Sequence, residues 1–256
     1  MKIITILLLA FSFIFIPTEV DATTDGDRAE EIFREFDDRR RAITYEISTL
    51  EMQIIDSRER VRTRELRMYS INKDNESKSL TVFNAPADVR GTGFLNLSSN
   101  GSEVQYLYLP ALGRVQTISG SRRSDRFMGS DFTFEDLGNI NADDYEVEIL
   151  EETDEKIKIR AIPLVESQYA FIHFFIDAEK YVLIQADYFK GDSERIKELT
   201  ATDYKEVESG VWRPDVMIMR DLEAERRTEL RWRDRTFNEP IPDRYFTERH
   251  LTRGVQ

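Results

Sequence analysis

The chain has 256 residues, with 36 Lys and Arg against 49 Asp and Glu, a formal net charge of -13 and no cysteine. At roughly 150 residues per domain, that length makes one large domain or two small ones, either able to bury a real core. The acidity argues against a general nucleic-acid binder, which needs a basic surface, and no dedicated basic surface for phospholipid head groups is evident. The lack of Cys excludes disulfides, thiolate catalysis, cysteine-ligated iron–sulfur clusters and a diacylglyceryl-cysteine anchor.

Lys2 is followed by an uncharged apolar run over residues 3–16, then Pro17 and Val20-Asp21-Ala22. A basic start, an apolar stretch and small or aliphatic residues at -3 and -1 predict an export signal (residues 1–22) cleaved after Ala22. The run is shorter than the roughly 20 residues of a membrane-spanning helix. Cleavage removes Lys2, Glu19 and Asp21 and leaves residues 23–256 at a formal charge of -12. The expected product is a soluble, exported, acidic domain.

Ala29, Ile32, Phe33 and Phe36 share one face of a helix over residues 27–40, with Glu30 and Glu31 in its favourable first turn. Strand-like runs follow at 42–55, 59–71 and 79–83, with polar turns at 56–57 and 72–75. Further runs lie at 93–97, 104–109, 115–118, 145–151, 156–163, 170–177, 181–189, 195–204, 212–220 and 226–237. Long strands joined by short polar turns suggest an antiparallel meander. Repeated βαβ units are missing, which disfavours nucleotide-binding α/β folds. Residues 138–141 are the best boundary candidate, but the strands beyond them read as a continuation, so one domain is expected.

Residues 119–136 break the pattern: Arg122, Arg123 and Arg126 stand among Ser, Gly and large apolar residues. Phe127, Met128, Phe132, Phe134 and Leu137 offer enough apolar surface to plug an opening or cover a sheet face. Two compatible readings stay open: a packed connection between strands, and a lid over a hydrophobic ligand cavity.

Conventional catalytic signatures are missing. His173 and His250 are far apart, and with no Cys they supply no thiolate or multi-histidine zinc set. Asp37/Asp38, Asp143/Asp144 and Glu151/Glu152 are the paired carboxylates expected on a solvated acidic surface. Asn75, Asn96 and Asn100 open short glycan-acceptor patterns that carry little information. The Arg39-Arg40-Arg41 and Arg226-Arg227 clusters have acidic neighbours, so salt bridges or cation–π contacts suit them better than phosphate tracking.

Tyr106-Leu107-Tyr108-Leu109-Pro110-Ala111-Leu112-Gly113-Arg114-Val115 ends one strand and begins the next. Arg122-Arg123 follows, then Phe127-Met128-Gly129-Ser130-Asp131-Phe132-Thr133-Phe134-Glu135-Asp136-Leu137. This combination resembles the exported outer-membrane lipoprotein-sorting proteins related to the LolA and LolB carriers. Pro86-Ala87-Asp88-Val89-Arg90-Gly91-Thr92-Gly93 and Val211-Trp212-Arg213-Pro214 fit the same framework. The resemblance spans about residues 40 to 250. It implies a mainly β fold: one strongly curved antiparallel sheet forming an incomplete barrel, with the N-terminal helix and the central crossover covering its open side. It also implies a periplasmic, non-enzymatic carrier without cofactor. Its partners would be a lipid or acylated protein, a transient membrane contact and an inner-membrane exporter of the resistance-nodulation-division type. Phe127, Met128, Phe132, Phe134 and Leu137 become candidates for the cavity or its lid. Arg114, Arg122, Gly129, Asp131, Glu135 and Asp136 become structural members of the family motif. Asp131 is placed to cap a turn and meet Arg122 or Arg126, and Gly129 to allow a tight turn. Two other classes stay open: an accessory interaction domain with a filled interior, and an envelope lipid or glycan hydrolase with converging carboxylates.

Overall fold

A computed structural model describes residues 25–253, so the predicted export signal lies outside the described residues. Helix α1 (Asp25–Arg41) opens this part and buries Ala29, Ile32, Phe33 and Phe36. Thirteen strands follow. They are β1 (Tyr45–Ile55), β2 (Val61–Lys73), β3 (Glu76–Ala85), β4 (Gly93–Ser99), β5 (Ser102–Leu109) and β6 (Arg114–Ile118). After a long crossover come β7 (Tyr145–Glu152), β8 (Lys156–Pro163), β9 (Phe171–Asp177), β10 (Leu183–Lys190), β11 (Glu194–Glu208), β12 (Val211–Asp221) and β13 (Arg226–Phe237). A short helix α2 (Glu248–Arg253) closes the described chain.

Every ladder is antiparallel, and the order is β6-β5-β4-β3-β2-β1-β13-β12-β11-β10-β9-β8-β7. Neighbouring strands are consecutive in sequence except at the centre, where β13 returns to pair with β1 through Met52↔Leu230 and its flanking pairs. The two meanders therefore join first strand to last and leave β6 and β7 as opposite edges.

This corrects the expected architecture. The fold is mainly β with two short helices, but the sheet is neither closed nor strongly curled into an incomplete barrel. The chain leaves the ladder at Ile118 and re-enters it at Tyr145 on the far edge. Between those points it packs on the sheet's apolar face. Strand periodicity specifies which residues share a face; it does not specify whether edges meet.

Because side chains alternate across a strand, the register sorts the core into two faces. One carries Leu50, Met52, Leu66, Phe94, Leu107, Leu230, Met219, Leu199, Ala186, Phe174 and Ile159, which form one continuous core with α1 and the crossover. We call this the inner face. On the outer face, Ile71, Leu80, Val82 and Leu95 are covered by Ile241, Phe246 and Leu251 from the C-terminal segment. Gly93 makes that closeness possible, since a Cβ there would sit 2.5 Å from Leu251 Cδ1. The outer face of β8 and β9 has no such cover: Arg160 lies over the Phe171 ring at 4.3 Å and Lys158 over Phe175 at 5.3 Å. His173 sits beside Phe189, 4.7 Å between ring centroids, and burial lowers its pKa.

Candidate functional site

The crossover is tied down along its length. Phe127 packs against Phe83, Phe94 and Phe134 with ring centroids 5.2–5.7 Å apart, and Phe127, Phe132 and Phe134 are all buried. Its backbone is irregular, so its polar groups need side-chain partners. Arg64 Nη1 donates to the Met128 carbonyl at 2.6 Å, Arg226 Nη2 to the Gly129 carbonyl at 2.6 Å and Gln105 Nε2 to the Phe134 carbonyl at 3.0 Å. Met128 and Gly129 turn through the left-handed region, with φ of 49° and 75°.

Two buried polar knots pin the crossover to the second meander. The Asp131 side chain is 0% exposed and meets Arg126 at 3.2 Å and Arg226 at 2.6 Å. Thr228 Oγ1 donates to Asp131 Oδ2 at 2.7 Å and accepts from the Asp131 N–H at 2.9 Å. Arg126 also pairs with Asp221. Burial raises the Asp131 pKa, opposed by the Thr228 hydrogen bond and the two arginines. In the second knot, Asp136 accepts from Tyr169 Oη at 2.6 Å, Lys197 Nζ at 2.9 Å and the Thr133 N–H at 2.7 Å. Glu135 beside it accepts from Gln168 Nε2 at 2.9 Å and from Ser167 Oγ. Arg122, by contrast, is exposed and reaches Gln116 at 3.1 Å, and Arg114 is exposed at the start of β6.

Beyond the second knot, the inner face is hollow. A cavity of about 330 Å³ lies under α1 and the end of the crossover. Phe36, Arg39 and Arg40 of α1, with Gly138 and Ile140, line one side. The sheet contributes Phe174, Tyr188, Leu199, Met217 and Trp232, and Val182, Leu183, Tyr204 and Trp212 complete the apolar wall. Tyr204 Oη donates to the Leu183 carbonyl at 2.6 Å, and burial pushes the Tyr188 and Tyr204 hydroxyls up, so both stay neutral. The volume sits at the small end of ligand cavities.

One end of this cavity is charged. Glu46 of β1 stands 3.8 Å from Arg213 Nε and 3.5 Å from Arg235 Nε. Arg213 also donates to the Arg39 carbonyl at 3.2 Å and the Arg40 carbonyl at 3.0 Å, satisfying the last turn of α1 and meeting the negative end of its dipole. Arg40 donates to Asp37 at 2.9 Å and to the Ile140 carbonyl at 2.7 Å, which joins α1 to the crossover. A second, polar cavity of about 150 Å³ lies beside Glu103, Glu135, Asp144 and Tyr145. Among the described residues no group of His, Asp and Glu could hold a metal ion.

Asp131, Glu135, Asp136, Phe127, Phe132 and Phe134 thus come together in one strap, whereas Arg114 and Arg122 stay outside it. Phe127, Met128, Phe132, Phe134 and Leu137 do not line the hollow region; Asp136 does. The wall residues Trp212, Arg213, Trp232, Arg235 and Glu46 escaped sequence reasoning as site residues. A faint signal existed: the chain has only two Trp, and Trp212-Arg213-Pro214 already stood out.

A protein family described as "Uncharacterized protein" matches residues 75–253. No curated protein matches the chain. Among solved structures, a domain assigned to outer membrane lipoprotein sorting from Vibrio parahaemolyticus is 30% identical, with a TM-score of 0.84 over 89% of this chain and 99% of that one. A DUF1329 family protein from Desulfovibrio piger is 25% identical, with a TM-score of 0.83 over 90% and 100%. A LolA superfamily protein from Nitrosomonas europaea shares the fold at 18% identity, with a TM-score of 0.69 over 87% and 98%.

Proposed function

We propose that the chain, which belongs to the family of outer membrane lipoprotein-sorting proteins and shares its fold with a LolA superfamily protein, is a carrier for a lipid or the acyl chain of a lipoprotein. The carrier works in the periplasm, in keeping with the outer membrane lipoprotein-sorting domain it is similar to. The carrying observation is the 330 Å³ apolar cavity beneath α1. Exposing an alkyl chain to water costs about 0.8 kcal/mol per CH₂, and enclosing it among Phe174, Leu199, Met217 and Trp232 removes that cost. The volume suits one chain better than several.

In this reading residues 1–22 direct export and are removed, and residues 23–256 form the carrier. α1 and residues 138–140 line one side of the cavity, and their movement away from the sheet widens the entry. The crossover acts as the lid: its aromatic part, with Phe127, Met128, Phe132, Phe134 and Leu137, stays anchored while its far end moves. Delivery takes place between envelope components, with an inner-membrane exporter of the resistance-nodulation-division type as the donor or acceptor. No covalent step and no cofactor is assigned to the chain.

The test is extraction of the gently purified protein for lipid mass spectrometry, together with uptake of fluorescent acyl probes. A bound single-chain or acylated lipid is expected. No lipid and no uptake would overturn the carrier reading and favour an accessory interaction subunit, for which the uncovered outer face of β8 and β9 is the supporting observation.

A further inference from the structure

We propose that the cavity selects an amphiphile with one alkyl chain and an acidic head, the head held by Arg235 and Arg213. This rests on the carrier reading and narrows its ligand. Four arginines line this cavity; Arg39 and Arg40 are paired with Glu35 and Asp37 of α1, which leaves Arg213 and Arg235 facing the cavity's two lining carboxylates, Glu46 and Asp136. Asp136 is already engaged by Lys197, Tyr169 and the Thr133 N–H. That leaves Glu46 as the carboxylate facing Arg213 and Arg235.

The pairing of Glu46 is loose. At 3.5 and 3.8 Å from the two guanidinium Nε atoms, its carboxylate forms no short hydrogen bond with either. The Arg235 side chain is only 10% exposed, donates through Nη2 to the Pro214 carbonyl and stacks on Trp232 at 5.1 Å. Its Nε and Nη1 are buried with no acceptor. A buried guanidinium with two unused donors is costly, and a planar or tetrahedral oxyanion is the acceptor that its fork geometry fits. Asp215 is 4.0 Å away and is engaged by Lys205. Burial pushes the Glu46 carboxyl up while Arg235 and Arg213 pull it down. Glu46 therefore serves as a weak internal counterion that an incoming acid head replaces. Carboxylate and phosphate heads share this chemistry. The alkyl chain then runs along Trp232, Met217 and Leu199.

The experiment titrates the mature protein with decanoate, decyl phosphate and decanol, read by the fluorescence of Trp212 and Trp232, the two tryptophans of the chain and both in the cavity wall. At least one acid should bind about tenfold or more tightly than the alcohol, and the tighter acid names the head-group class. Arg235→Gln should abolish that preference, bringing the tighter acid to within about twofold of decanol in the same variant. Glu46→Gln should widen the preference for the acid over decanol measured in the same variant. Equal affinity for acids and alcohol in the unmutated protein would overturn the head-group site and leave the carrier reading standing. A preference that survives Arg235→Gln would overturn the assignment to Arg235. Failure of all three probes to bind would take down the carrier reading itself.

Discussion

The inner face of the sheet is treated in two ways by the same chain. Over β2 to β5 the crossover fills it: Phe127 and Phe134 interlock with Phe83 and Phe94, and side chains from β2, β5 and β13 satisfy the irregular backbone above them. Over β10 to β13 the same face is left hollow and lined by Tyr, Trp and Met, with arginines at one end. Both regions are apolar and both are covered, so composition does not separate them. The separation falls at the Asp136 knot, beyond which the strap supplies Gly138 and Ile140 to the cavity wall in place of a cluster of rings. One region is a packed core and the other is a hollow, which the carrier proposal assigns to a foreign chain.

The comparison can be broken most severely at the filled end. Phe127→Ala should cost about 3–5 kcal/mol in urea unfolding, since it empties the centre of a four-ring cluster, while the folded fraction keeps its probe uptake. A loss of uptake without a loss of stability would mean that the ring belongs to the ligand site instead. Next comes the boundary. Lys197→Met leaves the Asp136 carboxylate, 1% exposed, without its cation and should cost about 3 kcal/mol. Hydrogen exchange at residues 133–140 should quicken more than exchange at 126–131, which the Asp131 knot holds separately.

At the hollow end the expectation reverses. Val182→Phe places new volume in the cavity wall and should cost about 1 kcal/mol of stability, yet reduce acyl-probe uptake at least about tenfold. The smallest effect is a slope. Burial raises the folded-state pKa of Glu46, against the opposing charges of Arg235 and Arg213 and with Asp215 adding to the rise. A carboxyl whose pKa is higher folded than unfolded binds protons preferentially in the folded state. Its contribution is therefore most favourable below the ordinary glutamate range and declines as pH rises through its folded pKa. The unfolding free energy of the unmutated protein should fall relative to Glu46→Gln over that range. A parallel pair of pH profiles would contradict the assignment.

Much of this fold is legible in the sequence because period-two alternation and polar turns are local. The run read at 145–151 is strand Tyr145–Glu152, and the helix read at 27–40 is Asp25–Arg41. The run read from residue 42 begins only at Tyr45, where the ladder with Ile71 starts. Closure was not legible: nothing in β6 or β7 records whether the edges meet. The C-terminal helix Glu248–Arg253 escaped notice because it is a single short amphipathic turn whose Leu251 gains its meaning from Gly93, over 150 residues away. The aromatic crossover announced itself as unusual, yet its rings fill the core and the cavity lies elsewhere. That cavity is assembled from residues between Phe36 and Arg235, with no local pattern to mark it. The charge total is equally silent on it, since it does not say where in an acidic chain Arg213 and Arg235 come together.

The most direct test of the central claim is quenching of Trp212 and Trp232 by an alkyl acid carrying a bromine near its chain end, compared between the unmutated protein and Val182→Phe. Saturable quenching in the first, strongly reduced in the second, is the predicted result. No quenching in the unmutated protein, or equal quenching in both, would contradict the claim that this region of the sheet encloses a foreign chain.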